Sequence, residues 1–395
     1  MRTNTSSPSI AIIYDRVNTT YGGAENVLQS LHHLFPTAPI FTSVYDKAKA
    51  TWANAMVVNP SFLQNFPGAI HNHREYVGLM PLAFENLDLD AFDIIISVTS
   101  AEAKGVLTKP HQLHICYLLT PTRYLWSHEK EYRQGFLAEV IKKPIFTYLK
   151  WWDVAAAKRP DVIIPISSTV AKRCQKYYSR ETQAVIYPPV ELTADTTEAQ
   201  ELPAPLKSAG FTSGEYYLVV ARLVGYKRID LAIQACAELG RNLVIIGEGP
   251  ERASLEKMAA NLAEKHGKLT QTRTLFLQAV QCTVLTAYYK NCRAFLAPGE
   301  EDFGIAALEA HLFGKPAILH KQSGAAEISP EGFSSVQLEE QSSEAVKNAM
   351  VTTEQHHWQP EKIRQHIAKY RTEEFEKTFA QQVNALWKSW KGQYV

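Results

Sequence analysis

Cysteine is scarce in this chain: five thiols in 395 residues, Cys116, Cys174, Cys236, Cys282 and Cys292, with no C-x-x-C pair and an odd count. That excludes a disulfide-stapled scaffold and points to buried thiols in a reducing compartment. No run of about eighteen apolar residues occurs, which excludes a membrane-spanning helix. Residues 1–9 are polar and lead into a short apolar run at 10–14, so the apolar core of a signal peptide is missing too, and a cytoplasmic location is expected. A net charge of only +1 speaks against a nucleic-acid binder that works through bulk positive charge. His71 with His73, and His356 with His357, lack partners at ligand spacing; they read as surface residues, and no metal is expected. No short internal repeat is visible, which excludes a solenoid.

What is present is the make-up of a globular chain, 46% hydrophobic and 21% charged, and 395 residues are too many for one ordinary core but suit two. In the first half, candidate strands are 10–14, 39–44, 93–98, 114–118, 161–166 and 184–187. Between the first two, Val27, Leu28, Leu31, Leu34 and Phe35 recur at helical spacing. Strands alternating with helices imply parallel sheets flanked by helices. Pro188 and Pro189 make a stiff junction, acidic and Thr-rich 191–202 reads as an exposed connection, and the alternation then restarts. Near the end, Phe375, Phe379, Val383, Leu386, Trp387 and Trp390 mark an amphipathic helix.

The densest chemistry lies in P-G-E-E-D-F-G-I-A-A-L-E-A-H-L-F-G-K-P, residues 298–316. Ile305, Leu308 and Leu312 fall at helical spacing, and Glu309 lies on the same stripe, so it should point inward. A buried carboxylate is costly unless hydrogen bonds are donated to it, and a vicinal diol such as a ribose supplies two. The helix start at Phe303, Gly304 and Ile305 offers backbone N–H groups and a positive dipole end to a phosphate. The alternative is that Glu301 and Asp302 only cap the helix and Glu309 finds a donor within the protein. A second cluster follows Y-Y-L-V-V-A at 216–221, a buried strand that delivers Arg222 and Lys227, with Gly225 in the turn, ahead of a helix marked by Ile229, Ala232, Ile233 and Leu239. Two cations at the carboxyl end of a parallel strand suit a diphosphate and the charge on a departing pyrophosphate; a solvated basic turn is the alternative. Residues 242–247, N-L-V-I-I-G, read as a further strand.

R-x4-K at Arg222 and Lys227, E-x7-E at Glu301 and Glu309 within G-E-E-D-F-G-I, G-G-A-E at 22–25, T-P-T-R-Y-L-W at 120–126 and Y-P-P-V at 187–190 occur in one order along nearly the whole chain. In that order the chain resembles glycosyltransferase family 4, α/β proteins of the GT-B fold, and is especially similar to bacterial mannosyltransferases that use GDP-mannose. The resemblance implies two Rossmann-like domains facing each other across a cleft: 1–190 for the acceptor, 191–372 for the nucleotide sugar, and a helix over 373–395 that returns to the first domain. It implies that Arg222 and Lys227 hold the donor diphosphate and stabilise the leaving group. Glu309 would bind the ribose, and Glu301 the transferred sugar, with Arg222, Lys227 and Glu301 as the catalytic set. Phe303, Gly304 and Ile305 would offer backbone amides, and Gly22 and Gly23 would let backbone approach the donor phosphate. Transfer would retain anomeric configuration without a metal or other cofactor.

Two positions depart from the family pattern. Leu119 stands where relatives often have the histidine of H-T-P, and Ser100 where many have His before A-x-A-K, here Ala101, Glu102, Ala103 and Lys104. Both bear on the identity of the sugar. From 130 to 159, Lys142, Lys143, Lys150, Lys158 and Arg159 mix with Phe136, Ile145, Phe146, Tyr148, Trp151 and Trp152, diluted by Glu129, Glu131, Glu139 and Asp153. Cations beside large aromatics suit a lipid headgroup layer, and tryptophans at helical spacing suit a core. Peripheral membrane contact would fit a lipid-linked glycan acceptor in surface-polysaccharide synthesis, as the resemblance implies. Two other readings stay open: a nucleotide-sugar epimerase or hydrolase of the same architecture, and a non-catalytic nucleotide-sugar-binding partner.

Overall fold

The computed structural model describes residues 8–20, 22–127, 136–190, 201–266, 273–280 and 282–394. The chain forms two compact units, one made of Met1–Pro189 with Thr372–Val395 and the other of Val190–Arg371. Each is built on a six-stranded sheet in which every pair of neighbours is parallel.

The first sheet contains β1 (Ile10–Tyr14), β2 (Ile40–Thr42), β3 (Val58–Pro60), β4 (Ile94–Thr99), β5 (Leu113–Leu118) and β6 (Val162–Pro165), in the order β3-β2-β1-β4-β5-β6. Its central strands are near-continuous apolar runs because helices cover both faces; Ile12, Ile13, Ile95 and Ile115 are all fully buried. Strand β3 escapes the sequence reading because it is a three-residue edge strand, exposed in part and ending in a proline that cannot donate to a ladder. The expected strand at 184–187 is not one. Gln183 and Ile186 each donate a backbone hydrogen bond to β6, at 2.8 and 3.2 Å, and Pro188 and Pro189 then end any ladder by removing its donors. Flanking helices include α1 (Gly23–Leu34), α2 (Met80–Glu85), α3 (Phe136–Ala156) and α4 (Ser168–Tyr178).

The second sheet contains β7 (Tyr216–Val220), β8 (Asn242–Ile246), β9 (Thr274–Leu277), β10 (Ala294–Ala297), β11 (Ala317–His320) and β12 (Ser335–Leu338), ordered β12-β11-β10-β7-β8-β9. The chain starts in the middle at β7, winds outward through β8 and β9, then returns to lay β10 against the free side of β7. The loops after β7 and β10 therefore leave from the topological switch point of the sheet, where open α/β sheets bind ligands. Helices α5 (Ile229–Leu239), α6 (Cys282–Asn291), α7 (Ile305–Leu312) and α8 (Pro360–Ile367) belong to this unit.

The last helix, α9 (Thr372–Tyr394), packs on the first unit. Its buried Phe375 and Phe379 meet Tyr117 of β5 at ring distances of 5.9 and 5.4 Å, and Trp390 donates from Nε1 to the His111 carbonyl. Each buried phenylalanine is worth roughly 1.5–3 kcal/mol, enough to hold an otherwise polar helix in place. Most of the expected linker at 191–202 lies outside the described residues.

Candidate functional site

Arg222 and Lys227 are carried by the loop after β7, where residues 225–227 make a single tight turn and Arg228 takes a left-handed conformation, φ 51°, before α5 begins. Arg222 is exposed and Lys227 half-buried. Arg228 pairs instead with Asp230 at 3.0 Å. The loop after β10 comes up against this turn. A side chain on Gly299 would place its Cβ 2.4 Å from the Tyr226 carbonyl oxygen and 2.7 Å from the Lys227 Cα, so only glycine permits the approach. Two residues on, Glu301 forms an ion pair with Lys227 at 2.6 Å, each side chain about one-sixth exposed. The Glu301 N–H donates to Ser323 Oγ at 3.0 Å, fixing the backbone from the loop after β11.

Helix α7 begins immediately afterwards. Its N-cap Gly304 sits at φ 89°, a conformation that a side chain would strain. The N-cap position itself is thus Gly304, two residues after Asp302 and three after Glu301. Phe303 is buried, and the stripe of Leu308 and Leu312 faces the core as its spacing predicts. Glu309, on the same stripe, is half-buried. It does find a donor within the protein: Tyr289 of α6 donates its hydroxyl to Oε2 at 2.7 Å. Burial pushes the Glu309 carboxyl up to about 7, and the Tyr289 bond opposes that rise. The Tyr289 phenol, fully buried and beside that carboxyl, is held well above its ordinary value and so stays a proton donor.

Tyr289, Ser323 and Gly299 are not legible as site residues in the sequence. Gly299 alone carries a signal, a glycine between a strand and two acids.

In the first unit, Gly22 is the extended N-cap of α1 and Gly23 its first residue. Glu25 accepts from the Tyr14 hydroxyl at 3.1 Å and Thr19 Oγ1 at 3.0 Å, and a Cβ on Gly22 would lie 3.0 Å from its other oxygen. Ser100 spends both its N–H and its hydroxyl on Asp15, and Leu119 extends β5 by one backbone bond to Thr99.

The motifs T-P-T-R-Y-L-W and A-E-A-K meet on one buried carboxylate. Asp153 of α3 accepts from Lys104 Nζ at 2.5 Å, Thr122 Oγ1 at 2.8 Å, Trp126 Nε1 at 2.7 Å and the Tyr178 hydroxyl at 2.8 Å. The Lys104 and Asp153 side chains are 2% and 1% exposed. Asp153 is therefore a core residue, not an acid that dilutes a basic surface. The two tryptophans of α3 divide: Trp152 is core, while Trp151 is 71% exposed. Glu129, Lys130 and Glu131 lie outside the described residues, as do the side chains of Phe136, Glu139 and Lys142. His73 is half-buried and bonded to Asn18, whereas His71, His356 and His357 are exposed. Cys116, Cys174, Cys236 and Cys292 are buried free thiols.

Comparison with known proteins follows the same division of the chain. Residues 207–372 match the family described as glycosyl transferases group 1. The second unit carries the glycosyl transferase pattern. Among curated relatives, the chain is 33% identical over 116 residues to an uncharacterized glycosyltransferase of Methanocaldococcus jannaschii, 28% of each chain. It is 25% identical over 224 residues to the alpha-1,3/1,6-mannosyltransferase ALG2 of Saccharomyces cerevisiae, covering 49% of this chain and 44% of that one. The aligned stretch spans less than half of either relative.

Among solved structures, sucrose-phosphate synthase from Thermosynechococcus elongatus superposes with a TM-score of 0.70 at 15% identity over 96% of this chain and all of that one. Anabaena HepE in complex with UDP-glucose does so with a TM-score of 0.68 at 16% identity over 95% of this chain and all of its own. These likenesses establish the two-sheet α/β architecture as the GT-B fold.

Proposed function

We propose that the protein is a retaining glycosyltransferase whose second unit binds a nucleotide sugar at the switch point of its sheet. The observation that carries this reading is the meeting of Lys227 and Glu301, from the loops after two adjacent strands, at 2.6 Å, with Arg222 on the same loop as Lys227 and Glu309 on the helix that follows Glu301. In this reading Arg222 and Lys227 grip the diphosphate, Glu301 the hydroxyls of the transferred sugar, and Glu309 the ribose. The backbone at Phe303, Gly304 and Ile305 faces phosphate and sugar. Gly22 and Gly23 supply the bare backbone that a phosphate oxygen needs for close approach. Because Lys227 and Glu301 are paired at 2.6 Å, a bound donor has to open that pair to use both groups.

In the transfer step the acceptor hydroxyl oxygen bonds to the anomeric carbon as the bond from that carbon to the phosphate oxygen breaks. The departing phosphate oxygen takes the hydroxyl proton on the same face, so configuration is retained. The protein contributes orientation and the positive charge of Arg222 and Lys227 at the oxygen where negative charge develops. In this reading the two cations do the work of a divalent ion, and chelation should leave turnover unchanged.

Mannose from GDP-mannose is the proposed transfer, supported by the G-E-E-D-F-G-I segment and by the likeness to ALG2. The HepE structure holds UDP-glucose, which makes a uridine donor the competing case. The acceptor is proposed to be a glycan or a lipid-linked glycan of surface-polysaccharide synthesis. Among the described residues no helix is long and apolar enough to cross a membrane. Peripheral contact is instead supported by the exposed Ile145, Tyr148 and Trp151, spaced three residues apart along α3 with exposed Lys143 beside them. Loss of vesicle binding in Trp151→Ala on phosphatidylglycerol liposomes, with none lost on phosphatidylcholine, is the result expected there.

The deciding experiment is thermal unfolding against GDP-mannose, GDP, UDP-glucose and UDP, since a ligand bound only by the folded state raises the midpoint. GDP-mannose should give the largest rise. No rise with any of the four would remove the donor assignment, and consumption of donor with no acceptor product would mark a hydrolase or epimerase.

A further inference from the structure

We infer that Tyr289 is the positioning residue of the ribose-binding carboxylate and fixes the pH range in which the donor is held. The inference rests on the reading of Glu309 as the ribose contact. Tyr289 has no freedom of its own: its ring is fully buried, stacked on Phe313 at 6.0 Å and 12°, and tilted against Phe295 at 6.1 Å. Phe313 closes α7 itself and Phe295 lies on β10, so the phenol is braced by the two elements that frame the site. With the ring so held, the hydroxyl oxygen is fixed in place, and it donates to Glu309 Oε2 at 2.7 Å. One carboxylate oxygen is thereby anchored, which leaves the other for a ligand.

The bond also selects a charge state. A ribose diol donates two hydrogen bonds to a carboxylate, but a protonated acid has surrendered one of its acceptor positions. Burial favours the neutral acid, and the Tyr289 hydroxyl is the group that touches the carboxyl and favours the anion. The surroundings keep the proton on the phenol: burial first, then Glu309, Cys292 and Glu301 on the loop before α7, all make its ionisation harder. Of the charges on neighbouring elements, Arg364 of α8 is spent on Glu361 and the Phe313 carbonyl, and burial favours the neutral form of His320 at the end of β11. Tyr289 is thus the hydrogen-bonding counterweight to desolvation at Glu309.

The test is calorimetric titration of GDP-mannose and UDP-glucose from pH 6 to pH 9 with the parent protein, Tyr289→Phe and Glu309→Gln. The diesterified diphosphate of either ligand does not titrate in this range. For the parent, affinity should fall as pH drops through about 7. Tyr289→Phe keeps the stacked ring and should move that inflection to higher pH, binding about tenfold more weakly near neutrality yet within about twofold of the parent at pH 9. Glu309→Gln should bind weakly with no inflection. A Tyr289→Phe profile that keeps the parent inflection, lowered evenly or not at all, overturns the inference while leaving Glu309 in place. An unchanged Glu309→Gln, or a parent that binds neither ligand, overturns the ribose reading beneath it.

Discussion

Two carboxylates, one in each unit, divide the chemistry of this chain. Asp153 is almost wholly enclosed and accepts four hydrogen bonds, one from a lysine at 2.5 Å, so every demand of its charge is met from within the protein. Glu309 is half-buried and accepts one bond, from Tyr289, and burial holds its carboxyl near neutrality at about 7. A saturated charge has nothing left to offer a ligand and serves to lock elements together; an undersatisfied one stores a demand that a substrate can meet. The same contrast separates Lys104, spent on Asp153, from Lys227, whose partner Glu301 belongs to the candidate site itself.

The largest effect should come from breaking the saturated network. Asp153→Ala strands a buried ammonium and should lower the free energy of unfolding by about 3–5 kcal/mol, whereas Glu309→Gln should not lower it near neutral pH. Denaturant unfolding of the two variants side by side checks this, and equal losses would erase the distinction. Next in size, Lys227→Ala and Arg222→Ala should each cut turnover about a hundred- to a thousandfold, with stability close to that of the parent. Turnover retained in a folded Lys227→Ala would return the basic turn to the solvated surface. Glu309→Gln should weaken donor binding by about tenfold or more through the loss of a charged acceptor.

The pH dependence of stability separates the two carboxylates as well. A carboxyl raised from its ordinary value to about 7 stabilises the fold most fully below that ordinary value, near about 4, and the contribution is lost as pH rises through about 7. Relative to the parent, Glu309→Gln should therefore gain in melting temperature between pH 5 and pH 8. A gap that stays constant with pH would mean that Glu309 ionises as freely as a surface acid.

What could be read from the sequence was what is local in it. Arg222 and Lys227 are legible because one turn relates them, and Glu301 and Glu309 because a short loop and the helix stripe that follows it lie within a few residues. The parallel sheets are legible because strands covered on both faces are continuous apolar runs. Tyr289 is invisible because its partner lies twenty positions further on in another helix, and only packing brings them together. Asp153 looks like one acid among basic and aromatic residues, since the segment has large side chains on more than one face and periodicity cannot say which turns inward. The same ambiguity hides the split between Trp151 and Trp152. The stretch at 184–187 has the composition of a strand, but two prolines deny it a ladder.

The most direct test of the central claim is a crystal structure of the protein grown with GDP-mannose. The diphosphate should lie on Arg222 and Lys227, the Lys227–Glu301 pair should be open, and the ribose hydroxyls should meet Glu309. A nucleotide bound elsewhere, with that ion pair still closed and Glu309 touching only Tyr289, would contradict it.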